Sequence, residues 1–134
     1  MPLLIGVLLA VAVGVMCTAA GLDRDRALYP AVTLVVASYY ILFGVMGGST
    51  QALVLEILVA TIYIVAAVVG FRSSLWIVVI ALAGHGALDL VHDRVITNPG
   101  MPAWWPAFCL AYDVTAAAYL AWVLKTSRVP VRMR

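Results

Sequence analysis

The chain has 134 residues, of which 66% are hydrophobic and only 10% charged, and its mean hydropathy is +1.12. A soluble domain carries about 25% charged residues, so this composition excludes an ordinary soluble enzyme and predicts an all-α integral membrane protein. The formal net charge of +2 is too small to point to nucleic acid; the informative quantity is which side of a bilayer the basic residues occupy.

Crossing a hydrocarbon core about 30 Å thick takes roughly 20 mostly apolar residues. Five such segments follow one another, at about 2–22, 28–48, 51–71, 74–96 and 104–125, in a single transmembrane domain spanning 1–134. They are separated by "DRDR" (23–26), "GGST" (47–50), "RSS" (72–74) and "TNPGMP" (97–102), and a short basic tail occupies 126–134. Helix is the expected conformation throughout, because backbone polar groups in lipid must be satisfied within each segment. Nothing alternates with a period of two, as a barrel strand would.

The first segment has no basic residue before its apolar run, and its arginines follow it, so it is expected to be a retained helix and not a signal peptide. It carries no ionisable side chain between Met1 and Leu22 and is expected to serve packing. Gly6, Ala10 and Gly14 recur every fourth residue there, as do Gly44 and Gly48 in the second segment. Such small-residue faces let helices approach closely, within one chain or between copies, which leaves a homo-oligomer open. The second segment also has a small or polar face of Thr33, Ala37, Tyr40 and Gly44, and the third places Glu56 on a face with Ala60, Tyr63, Ala67 and Gly70.

The fourth segment holds both histidines of the chain, within "GHGALDLVHD" (84–93). On a continuous helix His85, Asp89 and His92 fall within about 60° of one another, with Asp93 bordering the same face. The fifth segment aligns Asp113 with Cys109, Tyr112 and Ala116.

Five spans put the termini on opposite sides. Arg24, Arg26, Arg72, Lys125, Arg128, Arg132 and Arg134 then share one side and Arg94 takes the other. The positive-inside bias predicts an outer N-terminus and a cytoplasmic C-terminus, in the inner membrane if the source is prokaryotic. Trp76 and Trp122 fall at the cytoplasmic ends, and Trp104 and Trp105 at the outer end of the last span, as an aromatic belt requires. Cys17 and Cys109 differ too much in depth to form a disulfide.

Counted from the outer ends of the spans, Glu56 lies about 9 Å deep, Asp89 about 10 Å, Asp113 about 13 Å and His85 about 15 Å, with His92 roughly one turn in. Ionisable groups in a bilayer cost roughly 2.5 kcal/mol or more each, so they turn toward the bundle interior or toward water. Four of them at one depth on three helices predict a pocket lined by spans two to five, open to the outer side beneath "NPGMPAWW". Tyr40, Tyr63, Tyr112, Trp104 and Trp105 are the candidate substrate-binding side chains.

The expected activity is that of a membrane-embedded enzyme on a lipid-like or apolar small molecule, with His85, Asp89, Glu56 and Asp113 catalytic. Burial draws carboxyl and imidazole pKa values toward neutrality, which suits general acid–base work. Metal-assisted chemistry is the variant, with His85, Asp89 and His92 as ligands to zinc or iron and Asp113, Glu56 or Cys109 completing the set. The alternatives are a ligand-binding or structural subunit without catalysis, and a small proton- or cation-coupled transporter. Transport would need both acids in the cytoplasmic half and a broken helix, and the sequence signals neither.

The His85-x-x-x-Asp89 pattern with acids on neighbouring spans is similar to the emopamil-binding and sterol-isomerase family, which implies an apolar ligand. It also resembles the membrane ceramidase group, which implies zinc held by histidines. The likeness covers one or two helix turns and carries no residue roles.

Overall fold

The structure is a computed structural model that describes residues 1–24 and 26–126. Most of the expected basic tail, 127–134, lies outside the described residues, as does Asp25 of "DRDR". Every element among the described residues is helical: α1 (Pro2–Ala20), α2 (Leu28–Met46), α3 (Thr50–Arg72), α4 (Trp76–Asp89), the single turn α5 (His92–Val95) and α6 (Trp105–Lys125). Four of them, α1, α2, α3 and α6, are long and apolar enough to cross a membrane.

Helix ends follow local chemistry. Gly21 adopts the left-handed conformation (φ 75°) and closes α1 by donating to the Thr18 carbonyl, while the Leu22 amide reaches that of Cys17. Ser49 caps α3, its hydroxyl oxygen accepting from the Ala52 amide at 3.2 Å. At the far end of α3 the Arg26 guanidinium is buried and donates to the carbonyls of Gly70 (3.2 Å) and Phe71 (2.9 Å). A cation there complements the negative end of the helix. This contact fixes the α1–α2 connection beneath α3.

The segment expected as one span over 74–96 is two pieces. Helix α4 has 14 residues, about 21 Å at 1.5 Å per residue, and α5 follows after a break at Leu90 and Val91. The Leu90 and Val91 amides bond carbonyls three residues back, at 3.3 and 2.9 Å. This tightened turn advances each residue by about 120° where an α-helix advances it by about 100°, so side chains beyond Asp89 are re-aimed. No glycine or proline marks the break, so the sequence carries no local signal for it.

The helices form an open arc in the order α1, α6, α4, α3, α2. Helix α6 runs parallel to α1, with Gly6 against Phe108 and Ala111 and Gly14 against Tyr119. It runs antiparallel to α4, where Gly86 meets the Leu110 carbonyl and Val114. The small-residue faces are therefore occupied within the chain: α1 turns Gly6, Ala10 and Gly14 to α6, and Gly44 of α2 lies against Leu53 of α3. Gly48 has no part in this. It stands in the turn after α2 at φ 63° with open space around its Cα.

Two layers result. Toward the Arg26 and Arg72 end, Leu75, Val78, Leu82, Ala117, Leu120 and Val123 form an apolar core. Toward the other end the interior is polar, holding His85, Asp89, Asp113, Glu56, His92 and Asn98. Outward faces are the reverse, with Leu8, Ile62 and Ile80 at least 59% exposed.

Candidate functional site

Close approach of α4 and α6 at Gly86 sets up the site. A Cβ at Gly86 would lie 3.2 Å from the Leu110 carbonyl and 3.1 Å from Val114, so only glycine lets the two backbones come this near without adjustment. The adjacent His85 then reaches the short side chain of Asp113, with Nδ1 at 2.7 Å from Oδ2. Asp113 has no exposure at all. Its Oδ2 also accepts from the Cys109 thiol, one turn earlier on α6, at 3.5 Å.

Asp89, one turn on from His85, accepts from the Tyr40 hydroxyl through Oδ1. Its Oδ2 lies 3.9 Å from His85 Nδ1, beyond hydrogen-bonding distance. His85, Asp89, Cys109 and Asp113 thus bring one nitrogen, one sulfur and two carboxylate oxygens within 4.8 Å of one another, all four side chains buried. The Tyr63 ring packs edge-on against His85 at 4.8 Å.

A second polar group adjoins the first. His92 Nε2 lies 3.0 Å from Glu56 Oε1, and the Asn98 side-chain amide donates to the same oxygen at 2.9 Å and to the Tyr40 carbonyl at 3.1 Å. The His92 ring packs on Tyr40 at 4.5 Å. Tyr40 therefore joins the groups, its hydroxyl serving Asp89 and its carbonyl and ring serving Asn98 and His92.

Three expectations are corrected by this geometry. The proposed ligand set of His85, Asp89 and His92 does not assemble, because the tightened turn after Asp89 aims His92 at Glu56. Glu56 is likewise separate from the His85 group, so the four-acid-and-base layer is two linked clusters. The polar cluster is also not an open pocket. Between its walls, at Tyr40, Glu56, His85 and His92, is a void of only about 10 Å³, about the size that admits one water.

The open space lies elsewhere. Because α1 and α2 barely touch, a cleft of about 780 Å³ opens between them, with α6 as its floor. Ile5 and Leu9 of α1 face Val32, Val35 and Tyr39 of α2 across it. Trp104, Trp105 and Tyr112, expected as ligand contacts, do line this cleft, while Tyr40 and Tyr63 belong to the polar network. Helix α1, expected only to pack, supplies one wall. The cleft and the polar cluster meet at Cys109, which lines the one and hydrogen-bonds within the other.

Cys17 and Cys109 are both free. Sequence reasoning missed Asn98. It stands in a loop whose "NPG" string signals only a turn, and nothing in the string marks its amide as a buried tie between α2 and α3. No protein-family model matches the chain, and no curated protein or solved structure matches it either.

Proposed function

We propose that the chain is a multi-pass membrane protein with its N-terminus outside and its C-terminus in the cytoplasm. In this reading α4, α5 and the loop after them together make the fourth of five crossings. Support comes from the inverted distribution of polarity, with buried His85, Asp113 and Glu56 inside and exposed leucine and isoleucine outside. Impermeant thiol labelling of intact cells tests the orientation. A cysteine at exposed Thr97 should label from outside, and one at exposed Ser73 should label only after permeabilisation. The reverse pattern overturns the topology.

Within that membrane frame the protein acts as an enzyme on a lipid-like molecule. The observation that carries this reading is the meeting of the apolar cleft with the His85–Asp113–Cys109 group at a single residue, Cys109. An apolar chain fills the α1–α2 cleft, burying much of its surface against Ile5, Leu9, Val35 and Phe108. Its polar end then lies toward Cys109 and Trp105. The His85–Asp113 pair is the acid–base unit: the carboxylate fixes the ring, and the ring holds or moves a proton. Asp89, held by Tyr40, is the second carboxylate of the site, and the Glu56–His92–Asn98 group braces it from the loop side.

A second reading, a lipid-binding subunit without catalysis, is favoured by the tight closure of the polar cluster, which leaves no more than about 10 Å³ of free space beside His85. Both readings require a specific amphiphile. Protein purified in mild detergent should retain one lipid class enriched over the bulk membrane, identified by mass spectrometry. Ala31→Trp, which fills the cleft from α2, should abolish that enrichment. Bulk phospholipid in membrane proportion, unaffected by Ala31→Trp, would overturn both. Turnover of the retained lipid, lost in His85→Gln, separates enzyme from binder.

A further inference from the structure

We propose that His85, Asp89, Cys109 and Asp113 bind one divalent cation of the zinc type. The inference concerns the same centre as the enzyme reading but does not rest on its proton step: with the ion bound His85 and Asp113 are ligands, and the acid–base role described above belongs to the metal-free form.

The donor set is the first argument. Four protein ligands, one imidazole nitrogen, one thiolate and two carboxylates, are a combination that suits zinc. Magnesium and calcium prefer oxygen alone, and copper(I) prefers sulfur without carboxylates. The residues come from two helices packed at Gly86, and each helix contributes a pair spaced i, i+4: His85 with Asp89 on α4, Cys109 with Asp113 on α6. Residues so spaced share one helix face, so a packed pair of helices presents four donors to the space between them.

Distances are the second argument. Metal–ligand bonds of about 2.0–2.3 Å in a tetrahedron put the ligand atoms roughly 3.3–3.8 Å apart. The His85–Asp89 separation is 3.9 Å and the Cys109–Asp113 separation 3.5 Å, and the whole set lies within 4.8 Å. The His85–Asp113 pair, at 2.7 Å, is closer than an ion would hold it, and that is the pair a shared proton now joins.

Unpartnered oxygens are the third and independent argument. Asp89 Oδ2 and Asp113 Oδ1 are both buried and make no hydrogen bond among the described residues. A buried polar atom without a partner is costly and is rarely left so. The Asp89 oxygen left over is the one facing His85 Nδ1 at 3.9 Å, too far to bond it and well placed to share an ion with it. Tyr40 meanwhile holds the other oxygen of Asp89, as the outer-shell partner of a ligating carboxylate does. When the ion binds, the Cys109 thiol proton and the proton shared by His85 and Asp113 pass to solvent.

The test uses full-length, chelator-stripped protein in detergent, titrated with Zn²⁺ and separately with Co²⁺. Zn²⁺ should bind at one equivalent with release of protons, and Co²⁺ should give a thiolate-to-cobalt charge-transfer band with the strong visible absorption of tetrahedral coordination. Cys109→Ser, close in size to the native side chain, should lose the charge-transfer band. His85→Ala and Asp113→Ala should weaken binding by about 100-fold or more, given that even outer-shell partners are worth roughly 10–100-fold. Tyr40→Phe should weaken it by about 10-fold, and Ile80→Ala, on the outward face of α4, should leave it unchanged. Absence of equimolar binding to the folded wild-type chain, or a charge-transfer band that survives Cys109→Ser, overturns the proposal. Metal binding without a retained amphiphile would sink the lipid reading alone, and a retained amphiphile without metal binding would sink the metal alone.

Discussion

Glu56→Ala should lower the stability of the folded chain by about 2–4 kcal/mol, because a stranded buried donor costs roughly 1–3 kcal/mol and Glu56 serves two. Its Oε1 is the common partner of His92 and of the Asn98 amide, and the side chain is only 1% exposed. Truncation leaves His92 and Asn98 without that partner at the place where α5 and the following loop are tied to α3. The effect should therefore be local as well as global. Hydrogen exchange should rise first in 90–100, before the α4–α6 core opens. Glu56→Gln keeps an acceptor for Asn98 and should lose less than half as much. Thermal unfolding in detergent, followed by circular dichroism, measures both variants. Equal losses for Ala and Gln would show that the shape of the side chain, and not its hydrogen bonds, holds the loop.

Asp113→Ala is expected to be nearly as costly, about 2–4 kcal/mol, for a different reason. It removes the partner of both His85 and Cys109 from the centre of the α4–α6 interface, and the next acceptor, Asp89 Oδ2, stands 3.9 Å from His85 Nδ1. A double-mutant cycle with His85→Ala isolates the pair. Residues in direct contact couple by roughly 0.5–3 kcal/mol, and interhelical hydrogen bonds in membranes rarely exceed about 1.7 kcal/mol, so a coupling of about 1–1.5 kcal/mol is expected. A cycle that closes to zero would mean that His85 and Asp113 fold independently, and the acid–base pair would lose its physical basis. The Leu82–Leu120 part of the interface, an apolar layer away from the pair, should keep the helices associated in all three variants.

The polar centre is closely enclosed. The void beside His85, walled also by Tyr40, Glu56 and His92, leaves room for about one water. The α1–α2 cleft is wide enough for a larger molecule and reaches Cys109 at the edge of the polar group. The break after Asp89 sits at the loop end of the bundle, beside the site. It completes the wall around Glu56 and leaves the apolar core over Leu75, Val78 and Leu82 continuous.

By itself, the amino-acid sequence determined the helical class, the approximate limits of the long segments, the turning inward of every mid-segment ionisable residue, and the packing use of Gly6, Ala10 and Gly14. These follow from composition and spacing, which act through short-range rules: backbone hydrogen bonding within a helix, the cost of exposing charge to an apolar surround, and the 3.6-residue period. Only the tertiary structure decided the pairings. Whether His92 joins His85 or Glu56 depends on a turn at Leu90 and Val91 that no residue type announces. That Asn98 is interior depends on a loop folding back onto α2 and α3. That the open cleft lies between α1 and α2, and not within the polar cluster, depends on which helices are neighbours. Helix order around a bundle is set by the sum of many weak side-chain contacts between segments distant in sequence, and periodicity along one segment carries no information about it.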